Sequence, residues 1–386
     1  MMTALHVQRR PAASESGFSL IELLISTGIM TVIMGVTMNS MMQAMRANDM
    51  ATKLTTMNAN LRTGMDLVVR DLLQTGQDLP VGRVITVPSG AGSSVLKQPG
   101  PPGTSWTFAA GTTELSAVIP GPGRGHTVNG RPTDIITFLA ADSSFSNVDL
   151  DDVTDTTMRV KMPCVAPATC NGIDITDGGA DDLVEGQLIM LVKGSVSTLV
   201  QITGLSGQTA AFANGDSLGL NQSTAAAGSL RALNLQAPSL TTSAAAARDQ
   251  TQASRIRMIT YYLDATTNPA RPALVRRMNN GHPTAFNNAL GTVVAFDVEN
   301  LIVSYDIANG STNPAHVRMT AADLTTTGAC TPDPCSSNQI RKVNVTLVGR
   351  SNAKFRTTNG FMRNALSSQI SLRSLSFVDK YTNVAN

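Results

Sequence analysis

The sequence predicts an α+β chain: one long N-terminal helix, apolar enough in its first half to cross a membrane, followed by a β-rich globular head. Three observations predict it. Residues 18–45 hold a single charge, Glu22. An apolar period near 3.6 then continues to Leu72, and from Gly76 onward it gives way to short runs separated by Gly, Pro and Asn.

The N-terminus comes first. Residues 1–17 are polar and carry Arg9 and Arg10, and the chain turns apolar abruptly at Phe18. As a helix, residues 18–45 reach about 42 Å at about 1.5 Å per residue, more than the roughly 30 Å hydrocarbon layer. The two arginines keep their side in the cytoplasm, so the remainder is exported. An ordinary secretory signal places its small cleavage residue after the apolar run. Here the small junction residue, Gly17, precedes it, so a cut there leaves Phe18 as a new N-terminus on a retained helix. Glu22 is the anomaly, since a carboxylate inside a membrane costs about 2.5–3.5 kcal/mol and needs a partner. The new α-amine lies one turn away on the same helix. A neighbouring helix, offset along an assembly axis, could place its own amine beside Glu22 instead.

Beyond the apolar run, Met50, Leu54, Met57, Leu61, Met65, Val68 and Leu72 form one stripe at steps of three and four. Asp49 to Lys53 and Arg62 to Asp66 to Arg70 fall at i,i+4 on another face. Gly76, Asp78 and Pro80 end the pattern. Residues 18–75 therefore read as one helix, about 87 Å long if straight. Met30, Met34, Met38, Met42 and Met45 share a face that reads as packing surface, because no Cys or His accompanies them for soft-metal capture.

Strands are expected at 133–140, 157–162, 187–192 and 198–203, the last two joined as a hairpin through Lys193-Gly194-Ser195. Later ones are expected at 257–263, 273–277, 292–297, 301–306 and 341–348. In the last, Val343, Val345 and Leu347 alternate with Asn344 and Thr346, as in a half-solvated antiparallel strand. Residues 221–254 are poor in apolar bulk and read as a loop or an inserted helix. The division is a 1–17 leader, an 18–76 helix and a 77–386 head.

The 386 residues are 42% hydrophobic but only 15% charged, with net charge +2. That balance argues against wrapping nucleic acid, and the single apolar run excludes a polytopic membrane protein. Charge is segregated: 142–185 hold ten acids and two bases, and 341–380 hold eight bases and one acid. Such segregation suits subunit docking through Arg350, Lys354 and Arg356, or contact with DNA or an anionic surface, unless the two segments neighbour each other in one fold. No enzyme motif is present. Gly121-Pro-Gly123-Arg-Gly125 lacks the setting of a dinucleotide loop and reads as a turn, there is no Walker A lysine, and His126, His282 and His316 stand apart as scattered surface residues.

Cys164 and Cys170 enclose five residues, and Cys330 and Cys335 enclose four. Local pairing is the simplest of three connectivities in an exported chain; a four-Cys zinc site has unlike spacing. Acidic clusters occur at Asp149, Asp151, Asp152 and Asp155, and at Asp174, Asp177, Asp181 and Asp182. Neither fits the EF-hand pattern, and both read as solvated loops, with calcium at the second cluster as the alternative. No other cofactor is expected.

Gly17-Phe18-Ser19-Leu20-Ile21-Glu22-Leu23-Leu24 resembles the processing motif of type IV prepilins and type II secretion pseudopilins. The resemblance implies cleavage between Gly17 and Phe18 by a prepilin peptidase, methylation of the Phe18 amine by the same enzyme, and a subunit-docking role for Glu22. Many major pilins carry a proline near the middle of this helix; none occurs here between Phe18 and Leu79. A looser similarity to PilW-type minor pilins and large J-type pseudopilins runs through Tyr261-Tyr262-Leu263, Leu274-Val275-Arg276-Arg277, Phe296-Asp297-Val298-Glu299-Asn300-Leu301 and Ile340-Arg341-Lys342-Val343-Asn344-Val345-Thr346-Leu347. It implies a minor pilin that primes type IV pilus assembly. Its partners would be other minor and major pilins, the peptidase and the inner-membrane assembly platform. The head would lie in the periplasm, then at the pilus tip. Some relatives in the pseudopilin superfamily are calcium-dependent. The alternatives are a secretion pseudopilin and a tip adhesin or DNA-uptake module.

Overall fold

The computed structural model describes residues 17–79, 84–89, 95–104, 106–108, 112–165, 170–222, 226–235, 250–281, 290–307, 337–355 and 359–376. Helix α1 spans Leu20–Leu73, close to the expected bounds and unbroken. The chain divides into two compact units, residues 1–55 and 56–386.

In the first unit the helix is exposed throughout residues 20–50. Its most apolar 18-residue window has mean hydropathy 1.9, so this one helix is apolar enough to span a membrane. The hydroxyls within it do not contradict that, because Ser26, Thr27 and Thr31 donate to carbonyls four residues back at 2.8–2.9 Å. On the polar side Lys53 Nζ lies 2.7 Å from Asp49 Oδ2, the i,i+4 pair read from the sequence.

In the second unit α1 buries Met57, Leu61, Gly64, Met65, Val68, Asp71 and Leu72. The predicted stripe is thus a core face from Met57 onward, while Met50 stays 38% exposed. Gly76 ends it at φ +75°, a conformation that costs glycine little. Its N–H donates to Leu139 O at 2.9 Å, which ties the helix end to the sheet.

Before the acidic region lie β1 (Val84–Thr86), β2 (Glu114–Ser116), β3 (Val118–Gly121), β4 (Thr127–Val128), β5 (Arg131–Pro132) and β6 (Ile135–Ala141). The middle holds β7 (Val148–Val153), β8 (Thr157–Val160), β9 (Leu188–Lys193), β10 (Val196–Gln201), β11 (Gly204–Ser206) and β12 (Thr209–Ala211). Last come β13 (Gln252–Asp264), β14 (Ala273–Met278), β15 (Thr292–Phe296), β16 (Val298–Ile307), β17 (Ile340–Arg350) and β18 (Arg363–Ser371).

Among the described residues thirteen strands form one sheet, β16-β17-β18 form a second, and β4 pairs with β5 alone. The 13-residue β13 is the seam of the large sheet. Along its length it pairs on one edge with β7 and then β6, on the other with β9 and then β14, all antiparallel. Its burial explains its composition: Ile256, Met258, Ile259, Tyr261, Tyr262 and Leu263 are at most 1% exposed. The β9–β10 hairpin turns through Gly194 and Ser195, with Lys193 opposite Val196 and Gly194 at φ +60°.

Two expectations are corrected. The cluster Asp149, Asp151, Asp152 and Asp155 is not a solvated loop, because its first three acids lie in β7 between buried Val148, Leu150 and Val153. A register shift between Leu150 and Asp152 returns Val153 to the core. The stretch 221–254 is not one loop or helix either: Leu230 and Leu235 enter the core, and Gln252–Ser254 begin β13; residues 223–225 and 236–249 lie outside the described residues.

Candidate functional site: the start of the helix and the acidic loop

At the sequence motif, Gly17, Phe18 and Ser19 are non-helical and exposed, with Phe18 at 88%. The Glu22 N–H donates to Ser19 Oγ at 3.2 Å, and the Ser19 N–H donates to Glu22 Oε2 at 3.1 Å. This reciprocal pair is a capping box, in which Ser19 caps the helix and Glu22 occupies the third helical position. Ser19 was missed in the sequence reading, although Ser-x-x-Glu ahead of an apolar run signals it. The box gives Glu22 a local partner and favours a negative charge at the helix start. It uses one carboxylate oxygen and leaves Oε1 for another contact. Among the described residues, no atom outside the chain neighbours lies within 4 Å of a Cβ placed at Gly17.

The second site is the loop of Asp174, Asp177, Asp181 and Asp182. Carboxylate oxygens of Asp177, Asp181 and Asp182 lie within 4.8 Å of one another, whereas Asp174 is engaged elsewhere. Its Oδ1 accepts from Thr176 N–H at 3.0 Å, Thr176 Oγ1 at 2.7 Å and Gln208 Nε2 at 2.7 Å. The Thr176 hydrogen bonds hold its carboxyl below the ordinary range. Gly178 N–H donates to Asp182 Oδ2, Gly179 N–H donates to Asp177 Oδ1, and Arg255 donates to the carbonyls of Ala180 and Asp182. Three carboxylates carry up to six of the six to eight oxygens that calcium takes, but one oxygen each of Asp177 and Asp182 already accepts a backbone N–H, and Arg255 engages two backbone carbonyls of the loop.

Cys164 and Cys170 are at bonding distance, S–S 1.99 Å. Beside the bridge, Ile173 N–H donates to Lys161 O at 2.8 Å. Cys330 and Cys335 lie outside the described residues.

Several charges of the two segregated segments are paired within the fold. Asp142 is bridged by Arg255 at 3.0 Å and Arg257 at 2.6 Å. Burial raises its carboxyl, but hydrogen bonds from Arg257 and Ser144 and the Arg255 charge outweigh that and hold it at about 2. In the basic segment Arg350, 6% exposed, lies 3.0 Å from Glu299, which also pairs with Arg363 at 2.5 Å. Arg350 is therefore an interior cation and not part of a docking surface. Lys354 is placed over Phe361, and Arg356 lies outside the described residues.

A cavity of about 730 Å³ runs between α1 (Thr63, Asp66, Leu67, Arg70) and β15 with Arg276. Among the described residues its lining contains no His, Cys or Ser. His126 is half-buried rather than a surface residue, with Nδ1 3.7 Å from Asp264 Oδ1; His282 and His316 lie outside the described residues. Asp264 is already held by Thr266 and Thr267, so this pair lacks the free orienting acid of a nucleophile–base set. Gly121–Gly125 is a turn, as expected, closed by Arg124 N–H on Gly121 O.

Comparison with protein-family models, curated proteins and solved structures returned no match.

Proposed function

We propose that this chain is a minor pilin, of the PilW type, that enters a type IV pilus or its initiation complex through its N-terminal helix. The observation that carries the reading is the order Gly17, Phe18, Ser19 and Glu22 at the head of a retained apolar helix, with a small residue before the span and one acid inside it. The apolar helix is held in the inner membrane before assembly, and the β-rich part lies in the periplasm. A prepilin peptidase removes residues 1–17 and methylates Phe18, and Glu22 meets the amine of a neighbouring subunit while its other oxygen stays on Ser19. Other minor and major pilins and the inner-membrane assembly platform are its partners. No catalytic role is assigned to it.

Two facts support this division of labour. The helix begins at Leu20, so the Gly17–Phe18 bond lies outside it, between two exposed residues, as suits a protease substrate. The capping box orients Glu22 without consuming both of its oxygens.

Glu22→Gln tests the docking role. Glutamine preserves the cap, since Gln serves at this position of a capping box, but removes the charge. The account expects the variant to be processed, to keep its helix and to be lost from sheared filaments. Normal incorporation of Glu22→Gln would contradict it.

A further inference from the structure

Two charges on α1 that the sequence places to pair do not pair. Asp66 and Arg70 stand four apart, the spacing at which an acid and a base meet on a helix. Lys53 and Asp49, at the same spacing, close to 2.7 Å. Asp66 and Arg70 are both exposed, and among the described residues neither side chain makes an ion pair or a hydrogen bond. Both line the cavity between α1 and β15.

A third charge enters that cavity from the sheet. Arg276 of β14 stands opposite Thr292 of β15 and reaches the same lining. Its side chain is 22% exposed, and its Nε is held at 2.5 Å by the buried Asp71, the one carboxylate that pairs with it among the described residues. A guanidinium fixed on one edge is already oriented for an acceptor on another, which lowers the cost of binding one.

The surroundings of these charges narrow the acceptor. Leu67 and Val294 are half-buried in the lining, and Val293 is 43% exposed. Apolar walls favour an organic ligand over an inorganic ion. Two guanidiniums favour a negative charge, and a carboxylate matches their planar fork. Asp66, one turn from Arg70, repels a second negative charge, so a phosphate dianion is disfavoured. The cavity, about 730 Å³, falls within the range of about 300–1,000 Å³ usual for small-molecule sites.

We propose that the cavity between α1 and β15 binds a small organic acid, its carboxylate on Arg70 and Arg276 and its apolar body against Leu67, Val293 and Val294. Asp71 is a positioning residue that holds Arg276 in place, and Asp66 limits the ligand to one negative charge. The site is independent of the N-terminal processing reading, because it lies within the unit of residues 56–386.

The probe is N-acetyl-leucine, which carries one carboxylate on an apolar body. It is titrated by calorimetry into the full chain in detergent, with empty micelles as the blank. Saturable binding at millimolar concentration is expected, and N-acetyl-leucinamide and inorganic phosphate should bind more weakly. Arg70→Gln should lower the affinity about tenfold, the loss of one charge-assisted hydrogen bond. Asp66→Asn should raise it, because a repelling charge is removed; an Asp66 that only solvates the helix would leave it unchanged. Circular dichroism checks that both variants, each at an exposed position, are folded. No saturable binding, equal binding of the amide or of phosphate, or an affinity that does not fall in Arg70→Gln or does not rise in Asp66→Asn overturns the proposal.

Discussion

Asp71 is the one buried charge on the core face of α1. Its carboxylate accepts from Tyr261 Oη at 2.7 Å and from Arg276 Nε at 2.5 Å, and it is 5% exposed. A buried charge left without its partner costs about 3–5 kcal/mol. Arg276 keeps part of its surface in water, so Arg276→Met should lower stability by about 3 kcal/mol, the lower end of that range. Denaturant unfolding of the full chain in detergent measures this, and a change below 1 kcal/mol, well under that cost, would refute the assignment. The sequence pattern did not single out Asp71, although it follows Val68 by three and Gly64 by seven and so falls on the same face. Apolar periodicity registers only what is greasy, and a buried acid becomes visible once Tyr261 and Arg276 arrive from strands some 190 and 205 residues later. Glu22 was legible from the opposite logic, as a charge where none belongs. Its partner Ser19 was not, because an uncharged serine at the edge of an apolar run is marked only by its three-residue spacing from Glu22.

At the scale of elements, α1 approaches the sheets so closely that only glycine fits at the contact. A Cβ at Gly349 of β17 would lie 2.8 Å from Leu61 Cδ2, and one at Gly64 would lie 3.0 Å from Ala295 Cβ. Overpacking of this kind costs about 1–3 kcal/mol. Gly349→Ala should therefore destabilise by that amount, and combination with Leu61→Ala should cost less than the sum of the two, because the second change makes room for the first. Strict additivity in a double-mutant cycle would contradict the contact. Most later strands were readable from alternation, and β17 shows why: Val343, Val345 and Leu347 are fully buried, while Asn344 and Thr346 are not. β7 escaped the same reading. Its alternating Val148 and Leu150 were outweighed by three aspartates, and its bulge breaks the period after Leu150. β18 escaped because an edge strand need not be apolar: of its nine residues only Ile370 is buried.

For the molecule as a whole, some of the charge that is segregated along the sequence is neutralised locally in space. Asp142 meets Arg255 and Arg257, Asp155 meets Arg231, and Arg350 and Arg363 meet Glu299, partners from other segments that composition by segment cannot reveal. The pH response follows. Asp142 and Asp264 are held at about 2, and Glu299 is also lowered. In each, burial raises the carboxyl, and hydrogen bonds from Arg257, from Thr267 and from Arg363, respectively, lead the opposing causes. Groups depressed in the folded state stabilise it fully above their unfolded values, near 4, and lose that contribution as pH falls towards about 2. The melting temperature should therefore hold down to about pH 4 and drop below it. A melting curve indifferent to acid between about pH 4 and pH 2 would contradict the networks.

The central claim is that the apolar helix is a processed assembly element rather than a permanent signal anchor, and the intact mass of the protein from its native membranes tests it most directly. The account predicts a chain that begins at Phe18 with one methyl group on its amine, and loss of that cleavage when Gly17 is replaced by a bulky residue. A mature protein that still carries residues 1–17, in cells whose processing peptidase is active, would contradict it.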